Sequence, residues 1–443
     1  MDQAWLDELF EFLRIPSVSA DPAHAGDVER AGEWVCDFVR AAGGDAELAR
    51  RGGRPLALGE IPASRDADAA PTVLVYGHFD VQPPAPLEHW ESPPFEPTIR
   101  GEWLHARGVA DDKGQLYLLL KAAALLAADG SLPVNVRIAC DGEEEIGGHT
   151  IVDYLLEDER GADACVIFDA PMERRGVPAF NIGTRGLVGF DVAVETGERD
   201  LHSGLFGNAA LNAVHALVQT LAALLPRDGR VPDPLRAGIR PPSAEEREAW
   251  KELTPGPEVL ASQGAVPYDE RAAEEFYLRT LAEPAVDVNG ILGGKPGLRN
   301  TTIPVRAQAN LTIRLAPGQD VDTIRAAAEQ LLRAAAPDGA ELELKSEDSA
   351  PPGYVSPDEP AVQLALGAFE RVIGRRPLLV RSGGTLPIVP ALGDRGIPTV
   401  LTGFGLPESN IHSPNERFLV EYVPLGIETA KELYRAFGEL GGR

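Results

Sequence analysis

The sequence predicts an α/β protein in which a smaller α+β domain is inserted into a discontinuous α/β domain. Short, β-rich apolar runs alternate with helical patterns in the first part of the chain and again near its end, which indicates a sheet of parallel or mixed order. Between these parts, strands and helices follow one another in an order that suggests a sheet with helices on one face. We therefore expect one domain to comprise residues 1–186 and 355–443, and the inserted domain to comprise residues 187–354.

Each element is predicted from its own pattern. Leu6, Phe10 and Leu13 recur at near-helical spacing, and Pro16 ends that helix. The other elements expected in the larger domain are helices at 28–42, 113–128, 359–373 and 422–437 and strands at 72–76, 134–140, 164–168, 378–380 and 399–401. The elements expected in the inserted domain are strands at 187–194, 307–315 and 341–344 and helices at 209–224 and 321–335. Helix 209–224 is apolar on most faces, which predicts its burial between domains or subunits.

The composition is that of a globular protein with an acidic surface. The 443 residues are 44% hydrophobic and 25% charged, which excludes the disordered, collagen-like and coiled-coil classes. There are 68 acidic and 41 basic residues, so the formal net charge is -27. Because nucleic acids and anionic lipid surfaces bind basic proteins, we expect neither a nucleic acid nor a membrane as a partner.

The cysteines and the apolar segments predict a cytoplasmic protein. Cys36, Cys140 and Cys165 are widely spaced and form no CxxC pair, so we expect neither a disulfide framework nor a thiolate zinc site. Residues 1–19 lack the basic and apolar regions of a signal peptide. The longest apolar run contains Lys121 and is too short to span a membrane.

Histidines and acidic residues follow several predicted strands, where ligands gather in open α/β sheets. His78 comes directly after a buried strand and could bind a metal ion, with Asp80 as the acceptor that orients its ring. The alternative is a strand-end histidine beside a turn aspartate. Asp169 also ends a strand, although a lone aspartate there is often a turn residue. His412 lies in a segment that would return to the same sheet.

Two further acidic clusters flank buried elements. Asp111 and Asp112 precede the long apolar helix, and Asp111 could offer one carboxylate oxygen to each of two cations. Glu143, Glu144 and Glu145 follow a buried strand, and three adjacent carboxylates repel one another unless cations or hydrogen bonds offset the repulsion. One glutamate could bind a metal while its neighbour takes a proton from the attacking water. Helix capping and a solvated acidic loop are the alternatives for these clusters.

Taken together, these positions form two metal sites that share one carboxylate. The five ligand positions are His78, Asp111, Glu145, Asp169 and His412. The first histidine and Asp169 would bind one ion, the second histidine and Glu145 would bind the other, and Asp111 would lie between them. Imidazole and carboxylate ligands without thiolate suit Zn, Mn or Co. Glu144 would remain as the base.

The chain resembles the M20 family of metallopeptidases, also called the aminoacylase-1/carboxypeptidase G2-like family. The matching segments follow the family's order over nearly the whole chain: GHFDV (77–81), ARGVADDKG (106–114), DGEEEIGG (141–148), IFDAP (167–171), RDLHSGLFG (199–207) and NIHSPNE (410–416). The resemblance implies a catalytic α/β/α sandwich with an inserted α+β lid that also forms a homodimer. It implies that a water bridged between two divalent ions, with Zn preferred over Mn or Co, hydrolyses the peptide bond of dipeptides or short peptides.

The resemblance also implies a role for each matching residue. The five ligand positions correspond to the family's metal ligands, with Asp111 as the bridging one, and the peptide bond from Asp111 to Asp112 is expected to be cis. Glu144 corresponds to the general base, and Asp80 to the acid that orients the first histidine. His202 is similar to a lid histidine that, in dimeric members, enters the partner's active site and stabilises the oxyanion.

Within the family, the chain is most similar to the carnosinase and cytosolic nonspecific dipeptidase branch. The similarity lies in RDLHSG, TTIP (301–304), TIRLAP (312–317) and SGGTLPI (382–388). It implies that Arg314 binds the substrate carboxylate, for which a guanidinium is the natural bidentate partner, and that Thr301 and Thr385 also bind substrate. In this branch a serine occupies the position of Thr385, and a histidine lies in the segment matching residues 349–355, where this chain has none. The missing histidine weakens the case for histidine-containing dipeptides as substrates.

Two other functions compete with a dipeptidase. An N-acyl amino-acid deacylase or desuccinylase would use the same two-metal centre but would need a pocket for the acyl group. A non-catalytic scaffold protein would lack a metal ligand or the base, and none is missing. The sequence contains no G-x-S-x-G motif, and GGKPG (293–297) lacks the second half of a P-loop, which argues against other hydrolase and nucleotide-binding functions.

Overall fold

The computed structural model describes residues 2–441, apart from the side chain of Asp348. The helices are α1 (Gln3–Leu13), α2 (Ala25–Ala41), α3 (Lys113–Ala128), α4 (Thr150–Glu157), α5 (Ser203–Phe206), α6 (Ala213–Leu221), α7 (Ala244–Trp250), α8 (Gly256–Ser262), α9 (Val321–Ala335), α10 (Pro360–Ile373), α11 (Ile388–Asp394) and α12 (Tyr422–Phe437). The strands are β1 (Asp45–Ala49), β2 (Leu56–Ile61), β3 (Thr72–His78), β4 (Thr98–Arg100), β5 (Trp103–His105), β6 (Asn135–Asp141), β7 (Ala164–Phe168), β8 (Ala179–Asn181), β9 (Gly183–Thr184), β10 (Gly186–Glu195), β11 (Leu201–His202), β12 (Ala285–Gly293), β13 (Thr302–Ile303), β14 (Arg306–Leu315), β15 (Glu341–Ala350), β16 (Gly353–Tyr354), β17 (Leu378–Val380), β18 (Thr399–Thr402) and β19 (Arg417–Leu419). The mixed α/β class predicted from the sequence is confirmed.

The chain divides into two compact units. The first contains the residues up to Ile182, Val355–Val380 and the residues from Ala391 onward, and the second contains Gly183–Tyr354 and Arg381–Pro390. From the sequence, we expected residues 381–390 to belong to the first domain. They group with the second unit because the Ser382 N–H donates to the Gly183 carbonyl (2.7 Å) and the Arg185 N–H donates to the Gly384 carbonyl (2.9 Å).

The first unit is built on a six-stranded sheet with the order β1-β2-β6-β3-β7-β18. Strands β6, β3, β7 and β18 are parallel to one another, whereas β2 pairs in antiparallel fashion with both β1 and β6. Helix α2 packs against β1 and β2, and α3 packs against β3 and β7. Every residue of β6 and β7 is buried, as expected for strands in the middle of a covered sheet. The carboxyl ends of β3, β6 and β7 therefore meet at one edge of the sheet.

The second unit contains a four-stranded antiparallel sheet with the order β12-β14-β10-β15. Buried and more exposed residues alternate along β14, which is typical of a sheet covered on one face only. The buried face forms an apolar core with helices α6 and α9, which includes Phe190, Leu217, Ile313 and Ile324. This is the predicted arrangement with helices on one face.

Among the details of the second unit that differ from the prediction, two concern the main sheet and the helix packed on it. The helix expected at 209–224 spans only Ala213–Leu221, because the Asn212 side chain caps it by accepting from the Val214 N–H at 2.9 Å. Strand β12, Ala285–Gly293, was not predicted. Its sequence AVDVNGILG includes glycine and asparagine, which are uncommon in strands, and β12 lies at the edge of the sheet, where such residues are better tolerated.

Cys36, Cys140 and Cys165 are free and buried. Within residues 2–441, no helix has both the length and the apolar character needed to cross a membrane.

Candidate metal centre

The five predicted ligand positions come from five separate segments of the first unit. His78 is the last residue of β3, and Asp169 follows β7 directly. Glu145 lies in a single 3-10 turn after β6, Asp111 lies in the loop before α3, and His412 lies in the loop between β18 and β19. The parallel pairing of β3 with β6 and β7 brings the first three of these segments to one sheet edge.

These side chains form two groups that share Asp111. In the first group, donor atoms of His78, Asp111 and Asp169 all lie within 4.8 Å of one another, and the same holds for Asp111, Glu145 and His412 in the second group. The two oxygens of Asp111 point to different histidines: Oδ1 is 3.0 Å from His78 Nε2, and Oδ2 is 2.9 Å from His412 Nε2. His412 Nε2 is also 3.1 Å from Glu145 Oε2. The Asp111–Asp112 peptide bond is cis, as the resemblance implied.

The His78 ring is oriented by Asp80. His78 Nδ1 lies 3.1 Å from the Asp80 carbonyl oxygen and 3.4 Å from Asp80 Oδ1, and both side chains are fully buried. Because both neighbours of Nδ1 are acceptors, Nδ1 carries the proton and Nε2 directs its lone pair toward Asp111 and Asp169. Burial lowers the pKa of His78, but the protonated ring would donate to both Asp111 and Asp80, and these hydrogen bonds outweigh burial and raise the pKa.

Asp80 also holds the turn that carries the glutamates. Its Oδ1 accepts from the Glu144 N–H at 3.3 Å, and its Oδ2 accepts from the Glu145 N–H at 3.2 Å. Gln82 completes the turn by donating from Nε2 to Glu145 Oε2 at 2.9 Å and to the Glu145 carbonyl at 3.1 Å. Gln82 was not among the site residues predicted from the sequence. Its position two residues after Asp80, in the same loop, is the only sequence signal that could have found it.

The donor set fits divalent cations. Neighbouring ligands of a cation held about 2.0–2.1 Å from each donor lie roughly 3 Å apart. The distances from Asp111 to both histidines and from Glu145 to His412 match this spacing, whereas Asp169 Oδ1 lies 3.9 Å from His78 Nε2. Burial raises the pKa of Asp169, whereas for Asp111 the hydrogen bonds from the two histidines outweigh burial and lower the pKa. Hydrogen bonds that the protonated His412 ring donates to Asp111 and Glu145 raise the pKa of His412 to about 10. Because metal ligands must be deprotonated, a cation bound here would displace the protons that these acidic and imidazole groups share into solvent.

Glu144 belongs to neither group. Its side chain is 26% exposed, and its Oε2 lies 4.0 Å from His78 Nε2. Burial, more than the neighbouring carboxylates, raises the pKa of Glu144. The third glutamate, Glu143, points away from the centre, since its carboxylate accepts from the backbone N–H groups of Arg54 (2.7 Å) and Thr150 (3.0 Å). The three adjacent glutamates thus have three different environments.

The remaining predicted site residues lie in the second unit and form two local pairs. Arg314, on β14, donates from Nη1 to Thr385 Oγ1 at 3.0 Å and forms no ion pair with any described side chain. His202 pairs with Thr302 in the short β11–β13 ladder, next to Thr301, whose carbonyl accepts from the Ser203 N–H. His202 Nδ1 accepts from the Gly204 N–H at 3.0 Å, so its Nε2 is the nitrogen that bears the proton.

Comparison with known proteins gives consistent results. The model of the family described as "Peptidase family M20/M25/M40" matches residues 74–436. The chain is 27% identical to the cysteinylglycine-S-conjugate dipeptidase of Corynebacterium striatum, over 92% of this chain and 90% of that protein. It is 26% identical to the Cys-Gly metallodipeptidase DUG1 of Saccharomyces cerevisiae, over 98% and 95% of the two chains. Among solved structures, the M20 family metallo-carboxypeptidase Sso-CP2 from Sulfolobus solfataricus superposes with a TM-score of 0.82 at 28% identity, over 99% and 100% of the two chains.

Proposed function

The chain belongs to peptidase family M20/M25/M40, and from that premise we propose that it is a metal-dependent dipeptidase that cleaves the peptide bond of unmodified dipeptides. The observation that carries this proposal is the pair of histidine and carboxylate groups joined through the two oxygens of Asp111. Relatives named as dipeptidases over nine tenths of this chain support the choice of substrate class.

The first unit would supply the reacting centre. His78 and Asp169 would hold one divalent ion, His412 and Glu145 the other, and Asp111 both, with Zn favoured and Mn or Co as alternatives for this set of ligands. When bound, two such ions lower the pKa of the attacking water and polarise the carbonyl of the substrate.

Glu144 would be the general base. It would accept the proton of the attacking water and return that proton to the leaving amine. Its partial exposure, its place outside both ligand groups and its pKa, raised by burial, support this role. Asp80 would support the step indirectly, because it orients His78 and holds the backbone of Glu144.

The second unit would recognise the substrate. The guanidinium of Arg314 would bind the free carboxylate of the dipeptide, with the Thr385 hydroxyl beside it and Thr301 as a further substrate-binding position. The absence of an ion-pair partner for Arg314 among the described side chains supports this role, because an arginine held without a carboxylate can accept one from a ligand.

We also propose a homodimer formed through the second unit. Apolar side chains are exposed on α6 and on the edge strand β12, where Val218 is 53%, Ile291 56% and Leu292 63% exposed. In this dimer, His202 of one chain would stabilise the oxyanion of the substrate bound by its partner, using the proton on Nε2.

The function can be tested with a small substrate panel. We would assay several unmodified dipeptides, their N-acetylated forms and a tripeptide, first after chelation and then after adding back Zn or Mn. The proposal predicts cleavage of the free dipeptides only, and only with metal.

Each other outcome points to a different activity. A preference for the acetylated compounds would assign the chain to N-acyl amino-acid deacylases. Removal of the last residue from the tripeptide and from the acetylated dipeptides would indicate a carboxypeptidase, the activity in the description of the Sulfolobus structure. No cleavage with either metal would mean that the substrate class is wrong.

A further inference from the structure

Glu416 is a fully buried carboxylate with a complete set of hydrogen-bond donors. Its Oε2 accepts from Arg107 Nη1 at 2.7 Å and from the Gly108 N–H at 2.9 Å. Its Oε1 accepts from the Ala110 N–H at 2.8 Å and from the Asp111 N–H at 3.2 Å. One side chain thus binds the backbone of the loop that carries Asp111 at three points, and no role for Glu416 follows from the ligand set itself.

The peptide unit that joins Ala110 to Asp111 is held at both ends. Its N–H donates to Glu416, and its carbonyl accepts from Gln115 Nε2 at 2.8 Å. Gln115 in turn accepts through Oε1 from the Phe404 N–H at 2.6 Å. Because rotation of this peptide plane would break bonds on both sides, the direction of the Asp111 side chain is restrained from outside its own loop.

Glu416 also ends the loop that carries His412. In this loop His412 and Asn415 have positive φ angles of 61° and 60°, which are uncommon for residues other than glycine. The Asn415 side chain accepts from the Glu91 N–H at 2.9 Å, and the Glu416 carbonyl accepts from the Ala106 N–H at 3.2 Å. The His412 loop and the Asp111 loop are therefore joined through both the side chain and the backbone of Glu416.

We propose that Glu416 is the positioning residue that sets the distance between Asp111 and His412 and so organises the cation site of Asp111, Glu145 and His412 before a cation binds. This inference rests on the proposed metal centre but not on the choice of substrate. Asp111 and His412 belong to loops more than 300 residues apart in sequence. Without the Glu416 carboxylate, a binding cation would itself have to bring the two loops together.

The test is a Co(II) titration of the metal-free full chain, followed by the absorption of the bound ion. In Glu416→Gln, one carboxylate oxygen is replaced by an amide NH2 group, which cannot accept hydrogen bonds from the backbone N–H groups of the Asp111 loop. We expect the dissociation constant of one of the two Co(II) equivalents to rise about 10- to 100-fold, the usual cost of removing a partner that orients a ligand. Glu246→Gln is the matched control, because Glu246 and Arg381 form an equally buried ion pair (2.6 Å) in the second unit.

The outcomes separate this inference from the proposed function. If the unmodified chain binds no Co(II), the metal centre itself is wrong. If it binds two equivalents and Glu416→Gln binds both within about twofold of the same affinity, or if Glu246→Gln weakens Co(II) binding as much, the inference is overturned. If Glu416→Gln fails to fold, the Gln115→Met variant serves as the test. It removes the hydrogen bond to the other end of the Ala110–Asp111 peptide unit. Unchanged Co(II) affinities in that variant would also overturn the inference.

Discussion

The metal centre of the first unit and the Arg314 region of the second unit hold their polar side chains in different ways. In the metal centre, three ligands are held by residues outside the ligand set: Asp80 contacts His78, Gln82 donates to Glu145, and Glu416 accepts from the backbone N–H of Asp111. In the second unit, Arg314 has one hydroxyl partner, and His202 is exposed. A rigid, largely buried group suits the reacting centre, whereas side chains with free hydrogen-bonding capacity suit binding of a substrate. The comparison predicts that changes in the first unit lower kcat or metal affinity and that changes to Arg314 and Thr385 raise KM.

The largest effect is expected from Glu144→Gln. If Glu144 is the base, kcat for a dipeptide should fall about 10³-fold, within the range attributed to a general base. Both metal equivalents should be retained, because Glu144 belongs to neither ligand group. Steady-state kinetics and the metal content of the purified variant measure the two quantities.

Glu143→Gln is the control for this experiment, since Glu143 bonds to Arg54 and Thr150 and not to the metal centre. Its kcat should stay within about threefold of the unmodified chain. An equal loss of kcat in both variants would contradict the separate environments of the two glutamates.

The next effect tests the one residue of the second unit to which we assign a role in the chemical step. His202→Ala should lower kcat about 10²-fold, the cost of one oxyanion donor, without loss of metal.

If His202 acts on the partner's substrate, mixing this variant with Glu144→Gln should form heterodimers with one intact site. A 1:1 mixture that exchanges subunits freely should then recover about one quarter of the activity of the unmodified dimer. No recovery after demonstrated exchange would mean that His202 acts within its own chain or has no role.

A smaller effect is expected from Arg314→Met. Loss of a charge-assisted hydrogen bond to the substrate carboxylate should lower kcat/KM about 10- to 100-fold, mainly through KM. Arg306→Met is the matched control, because Arg306 lies on the same strand, is exposed, and pairs with Glu195. A fall in kcat with unchanged KM would instead give Arg314 a role in the chemical step and remove the distinction between the two regions.

The smallest effect is expected at Thr385. Thr385→Val removes one neutral hydroxyl beside Arg314 and should raise KM about 2- to 10-fold. Thr385→Ser keeps the hydroxyl and should leave KM within about twofold. If the serine variant loses as much as the valine variant, the methyl group rather than the hydroxyl determines binding.

Sequence patterns predicted β3, β6, β7, β17 and β18 of the first unit because these strands are buried along almost their whole length, but they did not predict β1, β2 or the shorter strands. The apolar runs before His78 and Asp169 are strands β3 and β7, and the polar residues that follow lie at the expected sheet edge. The edge strand β12 was missed because its side chains are mostly exposed, so that apolar character does not mark it. The segment 381–390 was placed in the wrong unit because its backbone partners, Gly183 and Arg185, are remote in sequence.

The sequence by itself indicated which histidines and carboxylates could bind metal ions and their order along the chain. Several of them directly follow buried strands, and the carboxyl ends of such strands meet at one edge of the sheet. The acidic composition led us to expect neither a nucleic acid nor a membrane as a partner. Only the tertiary structure decided how the environments of the three adjacent glutamates differ and which residues outside the ligand set hydrogen-bond to the ligands. Arg107 and Glu416 are 309 positions apart, and hydrogen bonds over such separations depend on how the loops meet, which no local pattern encodes.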